Sequence, residues 1–436
     1  MASERPLEIA IVGAGLAGVT LALGLTRNNP NLNLTVFESR RKFSEISNGV
    51  GFGSNAVRAM SLITPKIVGI EGVYESVKTP NLDPFKRDIW YDVRHGDGPK
   101  AGNLIQEVRG EANFEFCSLS RAKFLEGIVG LLDPRVKLNF GTRIIDIVDG
   151  IDDHAGKSRL RFEDGTEAYA DAVIGCDGIR SKVRELMFGE KANAVYSGKY
   201  AYRKVVSMKK AIATVGPQMR NRQMFVGKGG HVVTQPIKNG DALNIVAFRD
   251  ARGEAWKRRV WVVPSDREAM LKDYEGWGEE VVKILELIEY PEKWGLFDTT
   301  PAETYTVNNL CILGDAAHAT SPHLDSGAGF AIEDAYLLSG LLKPELVKRA
   351  ADIKYAFKAW DAIRRPRCNE LISRSREQGL LLDLQAQDGG EVSAEDVREK
   401  IEIHQRWVWN VDLEGMLEKA TVLFQKEKEA AGSLKC

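Results

Sequence analysis

Three glycines with the spacing Gly13-x-Gly15-x-x-Gly18 follow a short apolar run, a spacing typical of a loop that binds a dinucleotide pyrophosphate. The first glycine permits the tight turn, the second lets phosphates approach the backbone, and the third lets helix and strand pack closely. N–H groups at the start of the helix then face the phosphate. Glu38, twenty residues after Gly18, is placed to accept hydrogen bonds from ribose hydroxyls and would repel a 2′-phosphate. These residues predict FAD or NAD as the resident nucleotide.

Two further motifs place a glycine beside an aspartate at the end of an apolar run. Asp177-Gly178 follows the run that ends at Cys176, and Gly314-Asp315 follows the run Leu310–Leu313. A carboxylate at such a position either contacts a bound nucleotide or caps the next helix, and the residues alone leave both roles open. The chain has no second GxGxxG motif. We therefore expect either NAD alone, or a resident FAD that a nicotinamide nucleotide visits transiently.

The glycine loop needs a strand, a helix and a second strand to position it, and the hydrophobic pattern predicts all three. Strands are predicted at Leu7–Val12 and Leu32–Glu38, with a helix between them that runs through Leu25. This βαβ order favours an α/β fold with a Rossmann-type nucleotide-binding domain.

The rest of the chain alternates between strand and helix patterns. A helix is predicted over Arg121–Leu132, strands over Val136–Val148, Tyr169–Cys176 and Asn309–Leu313, and a long helix over Phe330–Leu342. We expect a discontinuous nucleotide domain formed by 1–75, 115–190 and 300–342. A sheet-based domain of 76–114 and 191–299 interrupts it, and 343–436 forms a C-terminal helical region.

Composition narrows the class of protein. The chain has 436 residues, 44% hydrophobic and 28% charged, with a net charge of −1, so it offers no overall electrostatic footprint for nucleic acid or an anionic membrane. No apolar run reaches the ~20 residues of a membrane span, and no signal peptide is recognised. Five cysteines are scattered without metal-ligand spacing. We expect a metal-free cytoplasmic enzyme.

The three glycine motifs, in this order and at these separations, carry a family resemblance across essentially the whole chain. The chain resembles the single-component FAD-dependent aromatic hydroxylases of the para-hydroxybenzoate hydroxylase fold. The resemblance extends to Ser118–Leu125, Trp294–Asp298, Arg364–Arg367 and Trp407–Met416. It points to the salicylate hydroxylase branch, which includes fungal polyketide-tailoring monooxygenases. It implies a Rossmann-type FAD-binding domain, an inserted sheet-based substrate domain and a C-terminal helical region.

The resemblance implies roles for the nucleotide-facing residues. Glu38 would hold the adenosine ribose, Arg121 would lie near the pyrophosphate and ribityl chain, and Asp315 would bind a ribityl hydroxyl. Arg180 and Arg184 would either attract nicotinamide phosphates or lie on a solvated face. The stretch Asn48–Gly51 would lie against the isoalloxazine. The full set of expected cofactor-binding residues is Gly13, Gly15, Gly18, Glu38, Arg40, Gly51, Arg121, Asp177, Gly178, Gly314, Asp315, Gly327 and Ala328.

The substrate side is predicted from one strand and one arginine. His231, Val233 and Gln235 alternate along a strand and so share a face. The family segment reads His-x-x-x-Tyr-Pro and supplies polar partners for a phenol, and here Gln235 replaces the tyrosine. Arg203 matches a family arginine that stabilises a substrate phenolate. The alternatives are a core histidine at His231 and a surface ion pair at Arg203.

Asp325 is a departure from the family pattern. It lies in Pro322-His-Leu-Asp325-Ser-Gly327, where relatives usually carry a glycine-rich run. A carboxylate there would act as an acid or base, block the oxygen pocket, or point to solvent from a remodelled loop. We take Arg203, His231, Gln235 and Asp325 as the candidate catalytic residues.

The resemblance implies a FAD-dependent monooxygenase that consumes NADPH or NADH as a transient co-substrate. It would use molecular oxygen, through a flavin C4a-hydroperoxide, to hydroxylate or oxidatively dearomatise a phenolic or polyketide-like small molecule. Secondary metabolism or aromatic catabolism is the expected setting. The alternatives are a FAD-retaining cyclase or isomerase without oxygenation, and an NAD-dependent dehydrogenase. The chain is expected as a monomer or homodimer, without nucleic acid partners.

Overall fold

The computed structural model describes residues 5–43, 49–111, 114–151, 156–251, 253–258 and 260–433. The strands are β1 Leu7–Val12, β2 Leu32–Glu38, β3 Gly49–Phe52, β4 Lys78–Pro80, β5 Ile89–His95, β6 Leu104–Arg109, β7 Cys117–Ser120, β8 Lys137–Phe140, β9 Ile144–Ile151, β10 Lys157–Phe162, β11 Glu167–Ala170, β12 Ala172–Gly175, β13 Val195–Ser207, β14 Gln223–Gly227, β15 Gly230–Ile237, β16 Ala242–Asp250, β17 Val262–Pro264, β18 Glu292–Asp298, β19 Thr306–Val307 and β20 Leu310–Ile312. The α-helices are α1 Leu16–Asn28, α2 Ser54–Ile63, α3 Pro65–Val68, α4 Val73–Val77, α5 Arg121–Val129, α6 Lys182–Phe188, α7 Met208–Thr214, α8 Arg267–Asp273, α9 Glu279–Glu286, α10 Asp315–His318, α11 Gly327–Leu341, α12 Ile353–Leu382, α13 Ala394–Trp409 and α14 Leu413–Ser433.

A six-stranded sheet in the order β19-β20-β12-β1-β2-β8 forms the nucleotide-binding part of the molecule. All neighbouring pairs are parallel except β19 with β20. The glycine loop follows β1, Asp177-Gly178 follows β12, and Gly314-Asp315 follows β20. Because the carboxyl ends of parallel strands meet at one edge, the fold places all three motifs at the same edge of the sheet.

The strand predictions Leu7–Val12 and Leu32–Glu38 are confirmed residue for residue. Two longer predictions are wrong, because each covers two strands of different sheets. The run Val136–Val148 divides at Gly141, whose φ of +76° turns the chain from β8 into β9. The run Tyr169–Cys176 divides at Asp171, whose carboxylate binds Arg5 and the backbone N–H of Glu8.

An eight-stranded sheet in the order β17-β18-β13-β16-β15-β14-β5-β6 forms the second layer. Its pairs are antiparallel except β14 with β5. The central strands β14, β15 and β16 are almost completely buried, with apolar clusters packed on the sheet. Its strands fall within 76–114 and 191–299, and those of the six-stranded sheet within the other predicted segments, although the domain boundaries themselves stay a prediction.

The C-terminal helices join the two sheets. The 30-residue helix α12 packs against α11, α13 and α14, and its end reaches the eight-stranded sheet, where the N–H of Gly229 donates to the carbonyl of Asp383. Helix α11 begins at Gly327, three residues before its predicted start, so the glycine-rich turn is the first turn of the helix. Among the described residues, no helix is long and apolar enough to traverse a bilayer.

Candidate active site

The glycine loop after β1 has the geometry that its sequence predicts. Gly13 has a φ of +107°, and a Cβ there would lie 2.4 Å from the carbonyl oxygen of Cys176. A Cβ on Gly18 would lie 2.0 Å from the carbonyl oxygen of Gly13. A Cβ on Gly15 would meet no atom within 4 Å, so the chain leaves open space there. The loop is therefore tight on the protein side and open on the side where a pyrophosphate would approach.

Glu38 closes this loop from the end of β2. Its carboxylate accepts hydrogen bonds from the backbone N–H of Ala14 at 3.0 Å and of Arg40 at 2.8 Å. These contacts fix the carboxylate beside the glycine loop and leave it half-exposed. Arg121 is exposed at the first position of α5, and the side chain of Ser120 caps this helix.

The two aspartates of the other glycine motifs differ in their surroundings. Asp177 accepts hydrogen bonds from the backbone N–H groups of Lys182 at 2.7 Å and Val183 at 3.1 Å, so its carboxylate caps α6. Burial raises the pKa of Asp177, although these hydrogen bonds oppose the shift. Gly178 has open space around its Cβ position. Asp315 is exposed in the first turn of α10.

The two arginines after Gly178 also differ in their surroundings. Arg184 is buried and donates to the carbonyl oxygens of Ala192, Ala316 and Ala317. Neither role expected for Arg184, attracting nicotinamide phosphates or lying on a solvated face, fits its position, because the buried guanidinium faces the protein and ties α6 to α10. Arg180 is exposed and lies 4.1 Å from the ring centroid of Trp261.

The residues at this edge fit a bound FAD. Helices α1 and α11 both begin without a side-chain cap, so the first N–H groups of each are available to a ligand. The first turn of α11 contains Gly327 and Ala328, and Gly314 caps α10. Open space above Gly15 would admit the phosphates. In the stretch expected against the isoalloxazine, Gly49–Gly51 lies in β3, whereas Asn48 lies outside the described residues.

A cavity of about 630 Å³, which includes its solvent-open mouth, lies between the eight-stranded sheet and the end of α12. The sheet contributes three successive rows of side chains, because residues two apart on a strand share a face. His231 is paired with Phe248 in the first row, Val233 with Val246 in the second, and Gln235 with Asn244 in the third. Four residues of strand separate His231 from Gln235, or roughly 13 Å. The cavity therefore has polar ends and an apolar middle.

Arg203 enters the cavity from β13, opposite Val246 in the middle row. Its guanidinium makes no hydrogen bond with any described residue, and its Nε is buried without a partner. It lies 5.2 Å from the ring centroid of Trp294. Burial lowers the pKa of Arg203 to about 10, while the nearby Asp325 works in the opposite direction. The alternative of a surface ion pair is wrong.

Asp325 faces the same cavity and is paired. Its Oδ2 lies 2.9 Å from Nη2 of Arg222, a fully buried arginine behind it, and about a third of the Asp325 side chain, 31%, is open. Burial raises the pKa of Asp325, and Arg222 and Arg203 limit the shift. Gly51 makes room for the pair, because a Cβ there would lie 2.7 Å from Oδ2 of Asp325. Asp325 therefore faces the cavity and does not point outward from a surface loop.

Gln235 stands where the family carries tyrosine, and its amide carbonyl is fully used. Its Oε1 accepts from Tyr91 at 3.4 Å, Ser118 at 3.1 Å and Arg222 at 3.2 Å. Burial raises the pKa of Tyr91 to about 12, so its phenol stays protonated. Sequence reasoning missed Arg222 and Tyr91, since each is one charged or aromatic residue at the edge of an apolar run, without a spacing signal.

His231 is both a core histidine and a cavity-lining one. Its Nδ1 lies 2.7 Å from Oδ1 of Asp383, and the other oxygen of that carboxylate binds the ammonium of Lys199. Its ring stacks on Phe248, and His323 packs edge-on at a centroid distance of 5.1 Å. Burial lowers the pKa of His231, and Asp383 opposes the shift. Asp383 and Lys199, which sequence reasoning also missed, come from segments that only the tertiary fold brings together.

His318 is another buried histidine, and it lies in α10, next to the Gly314-Asp315 motif. Nε2 of His318 lies 2.6 Å from Oδ2 of Asp334, which also accepts from the N–H of Gly314 at 3.0 Å. The other oxygen of Asp334 accepts from Nε of Arg364 at 2.8 Å, and Cys368 lies close by. Both oxygens of this carboxylate are thus engaged by protein donors. The network ties the Gly314-Asp315 motif to α11 and α12.

Comparison with known proteins identifies the family. The FAD binding domain family FAD_binding_3 matches residues 133–375. The chain is 36% identical over 430 residues to the 6-methylsalicylate 1-monooxygenase atA of Aspergillus terreus (strain NIH 2624 / FGSC A1156), covering 97% of this chain and 94% of that protein. It is 32% identical over 444 residues to the salicylate hydroxylase of Pseudomonas putida, covering 98% of each. The chain belongs to the salicylate hydroxylase-like FAD-dependent monooxygenases.

A solved structure supports the same assignment for this monooxygenase. The substrate complex of a salicylate hydroxylase superposes with a TM-score of 0.83 at 31% identity, covering 95% of this chain and 98% of that one. The α/β fold class, the FAD cofactor and the aromatic monooxygenase activity predicted from the sequence are thereby confirmed. The cyclase or isomerase alternative finds no support among these relatives, and neither does the dehydrogenase.

Proposed function

We propose that this monooxygenase hydroxylates, or oxidatively dearomatises, a small phenol that the cavity holds as its phenolate. Polyketide-derived phenols without a carboxylate carry one negative charge once ionised and fit this description, and the relatives named for salicylates support an aromatic phenol as the substrate. NADPH or NADH is proposed as the transient reductant. The monomer-or-homodimer state and the cytoplasmic location stay predictions from the sequence.

Arg203 carries this proposal. Arg203 is half-buried at the cavity, and its Nε is buried without a hydrogen-bond partner, which is costly, so a ligand that supplies acceptors to this guanidinium is favoured. A phenolate oxygen is such an acceptor, and a fixed guanidinium favours the ionised form of a bound phenol.

The charge balance of the cavity points the same way. Asp325 is neutralised by Arg222 behind it, and His231 and His323 both have a pKa lowered by burial, so they are neutral near pH 7. Arg203 is then the one cavity-lining cation left without a counter-charge among the described residues. One negative charge on the substrate completes the balance.

Each part of the cavity has a proposed task. A bound FAD would supply the redox chemistry by which one atom of molecular oxygen reaches the aromatic ring. Arg203 holds the phenolate oxygen, His231 contacts the phenol, and the amide nitrogen of Gln235 is free to bind a second polar group at the far end. The apolar row of Val233, Val246 and Met224 packs against the ring and excludes water. Asp325 holds Arg222 in place and keeps the far end neutral.

The proposal is tested by mixing the FAD-loaded protein anaerobically with NADPH or NADH and a panel of phenols while flavin absorbance is followed. We expect a phenol that accelerates flavin reduction and then supports oxygen uptake in air. Arg203→Met should weaken binding of that phenol about 10²-fold, the loss of one charged hydrogen bond of about 1.5–3 kcal/mol. Arg203→Lys should recover part of it.

Arg267→Met, at an exposed position on α8, is the matched control and should bind the phenol as the wild type does. Unchanged binding by Arg203→Met, or a preference for neutral aromatics over phenols across the panel, would contradict the proposal.

A further inference from the structure

A buried cluster of three titratable side chains lies behind the cavity wall. Lys199, His231 and Asp383 come from β13, β15 and the residue that follows α12, and each is buried. The carboxylate of Asp383 bridges the other two, with one oxygen on the imidazole and the other on the ammonium. His231 and His323 both line the cavity beside this cluster.

The bridge determines which nitrogen of His231 carries the proton. Burial alone would favour the protonated form of Asp383, but Lys199 and His231 lower the pKa of this carboxyl, so it is ionised and only accepts. Nδ1 of His231 must therefore be the donor. In a neutral imidazole the other nitrogen, Nε2, then holds a lone pair, and it makes no hydrogen bond with any described residue.

The groups around His231 keep it neutral until a proton arrives. Burial lowers its pKa and Lys199 adds to this, whereas Asp383 works in the opposite direction. His323 packs against the ring with both nitrogens buried and without partners, and burial lowers the pKa of His323 well below its ordinary value. The charged groups Arg203 and Asp325 face the same cavity. The result is a neutral base with its lone pair available beside the substrate site.

We propose that Lys199, Asp383 and His231 form a proton-accepting relay, in which Asp383 fixes the Nδ1–H form of His231 so that Nε2 removes the phenol proton of the substrate. This inference rests on the proposed function and adds two positioning residues to it. In the step, the phenol O–H bond breaks as an N–H bond forms at Nε2. The phenolate is left facing Arg203, and the imidazolium donates to the carboxylate of Asp383. Lys199 keeps that carboxylate ionised.

The relay explains why a lysine and a histidine share one buried carboxylate. A carboxylate that stabilises the imidazolium formed in proton transfer makes the histidine a stronger base. A carboxylate paired with lysine alone would serve packing only. Lys199 and Arg203 lie on the same face of β13, since residues 199, 201 and 203 alternate with those on the other face.

Asp383→Asn is the direct test. The asparagine amide would donate to Nδ1 of His231, which places the proton on Nε2 and removes the lone pair. With the phenol found active in the panel, kcat/KM near pH 7 should fall by about 10²–10⁴. Because a phenol ionises by itself at higher pH, the variant should recover activity as the pH passes the pKa of the free phenol. Asp383→Glu should retain more activity than Asp383→Asn at low pH.

A second readout does not depend on turnover. 4-Nitrophenol, bound to the FAD-loaded protein below its own pKa, should show the absorbance of nitrophenolate in the wild type and of nitrophenol in Asp383→Asn. Asp298→Asn is the matched control, because Asp298 is a buried carboxylate on β18 that pairs with Arg376 of α12, the helix that ends just before Asp383. It should lower stability without changing the pH profile or the spectrum of the bound probe.

The relay is overturned if Asp383→Asn and Asp298→Asn have the same pH profile and both bind nitrophenolate as the wild type does. That outcome leaves the proposed function intact when phenols still drive oxygen uptake. The opposite result also distinguishes the relay from the proposed function. A bound nitrophenolate that depends on Asp383, without oxygen uptake on any phenol, would support the relay and contradict the proposed function.

Discussion

Two buried histidine–aspartate pairs in this molecule have nearly the same geometry, but the pKa values of their histidines shift in opposite directions. His231 and Asp383 lie 2.7 Å apart beside the cavity, and His318 and Asp334 lie 2.6 Å apart below the nucleotide edge. Burial opposes the imidazolium at both sites, yet the pKa of His231 falls whereas Cys368 and Asp334 raise the pKa of His318 well above its ordinary value.

The two pairs differ in what the free nitrogen of each imidazole faces. At the cavity, Lys199 pairs with the carboxylate of Asp383, and its charge adds to burial in lowering the pKa of His231. In the core, Arg364 likewise pairs with the carboxylate of Asp334, but Nδ1 of His318 is buried and has no partner among the described residues. Both pairs therefore include a second cation, and they differ in that only His231 has a free imidazole nitrogen beside an open cavity. The His318–Asp334 pair, together with Arg364, instead joins α10, α11 and α12.

The largest loss of stability is expected from breaking the His318–Asp334 pair in the core. Asp334→Asn leaves His318 and Arg364 without their shared carboxylate, and the loss of one partner from a buried ionic network costs about 3–5 kcal/mol. We expect this loss in the free energy of unfolding, measured with urea. His318→Gln, which keeps one N–H donor toward Asp334, should lose less.

Glu391→Gln is the control for this experiment, since Glu391 pairs with Lys228 on the surface. Exposed pairs of this kind contribute about 0–1 kcal/mol, so its unfolding curve should match that of the wild type. An Asp334→Asn protein as stable as Glu391→Gln would show that the core network contributes nothing to the fold.

The opposite pKa shifts also predict opposite pH dependences of stability. His323 and His231 have lowered pKa values in the folded state, so below about pH 6.5 the unfolded chain binds more protons and stability falls on acidification. His318 has a raised pKa, so its contribution is complete below about pH 6.5 and is lost as the pH rises through the folded-state value.

His323→Leu removes one of the acid-sensitive groups. The loss of unfolding free energy between pH 7 and pH 5 should shrink by about 1.4 kcal/mol for each unit by which the folded-state pKa lies below the unfolded one, within that range. Phe248→Leu changes the same ring stack without a titrating group and should leave the acid loss as it is in the wild type. An acid loss unchanged by His323→Leu would contradict the neutral state of His323.

A smaller effect is expected from Lys199→Met. Since Lys199 lowers the pKa of His231, its removal should move the acid limb of kcat/KM toward higher pH, by roughly one unit or less. Lys204→Met is the control, because Lys204 points to the other face of β13. If the acid limb of Lys199→Met stays in place or moves toward lower pH, Lys199 is not part of the relay.

Much of the nucleotide edge could be predicted from the sequence, because glycine spacing and apolar runs encode it locally. The bounds of β1 and β2 and the position of Glu38 follow from short runs flanked by glycine and charge. The roles expected for the cofactor-contacting residues stay predictions, with the chain showing open space at Gly15 and uncapped helices beside it.

The cavity was only partly predictable. Arg203, His231, Gln235 and Asp325 do lie around one cavity, as the resemblance implies. Their partners could not be read from the sequence. Asp383 follows a long charged helix and resembles any solvated residue there, and Arg222 precedes an apolar strand without a motif. Both residues meet their partners only when distant segments of the chain pack together. Asp383 is 152 residues from His231, and Arg222 is 103 residues from Asp325.

The contrast between the two histidines is tested most directly by ¹⁵N NMR of the FAD-loaded protein labelled only at its six histidines. Near pH 7, His231 should appear as a neutral ring with its proton on Nδ1, and His318 as a ring protonated at both nitrogens. Asp383→Asn should move the proton of His231 to Nε2 and leave His318 unchanged. A doubly protonated His231, or a neutral ring with its proton already on Nε2 in the wild type, would contradict the account.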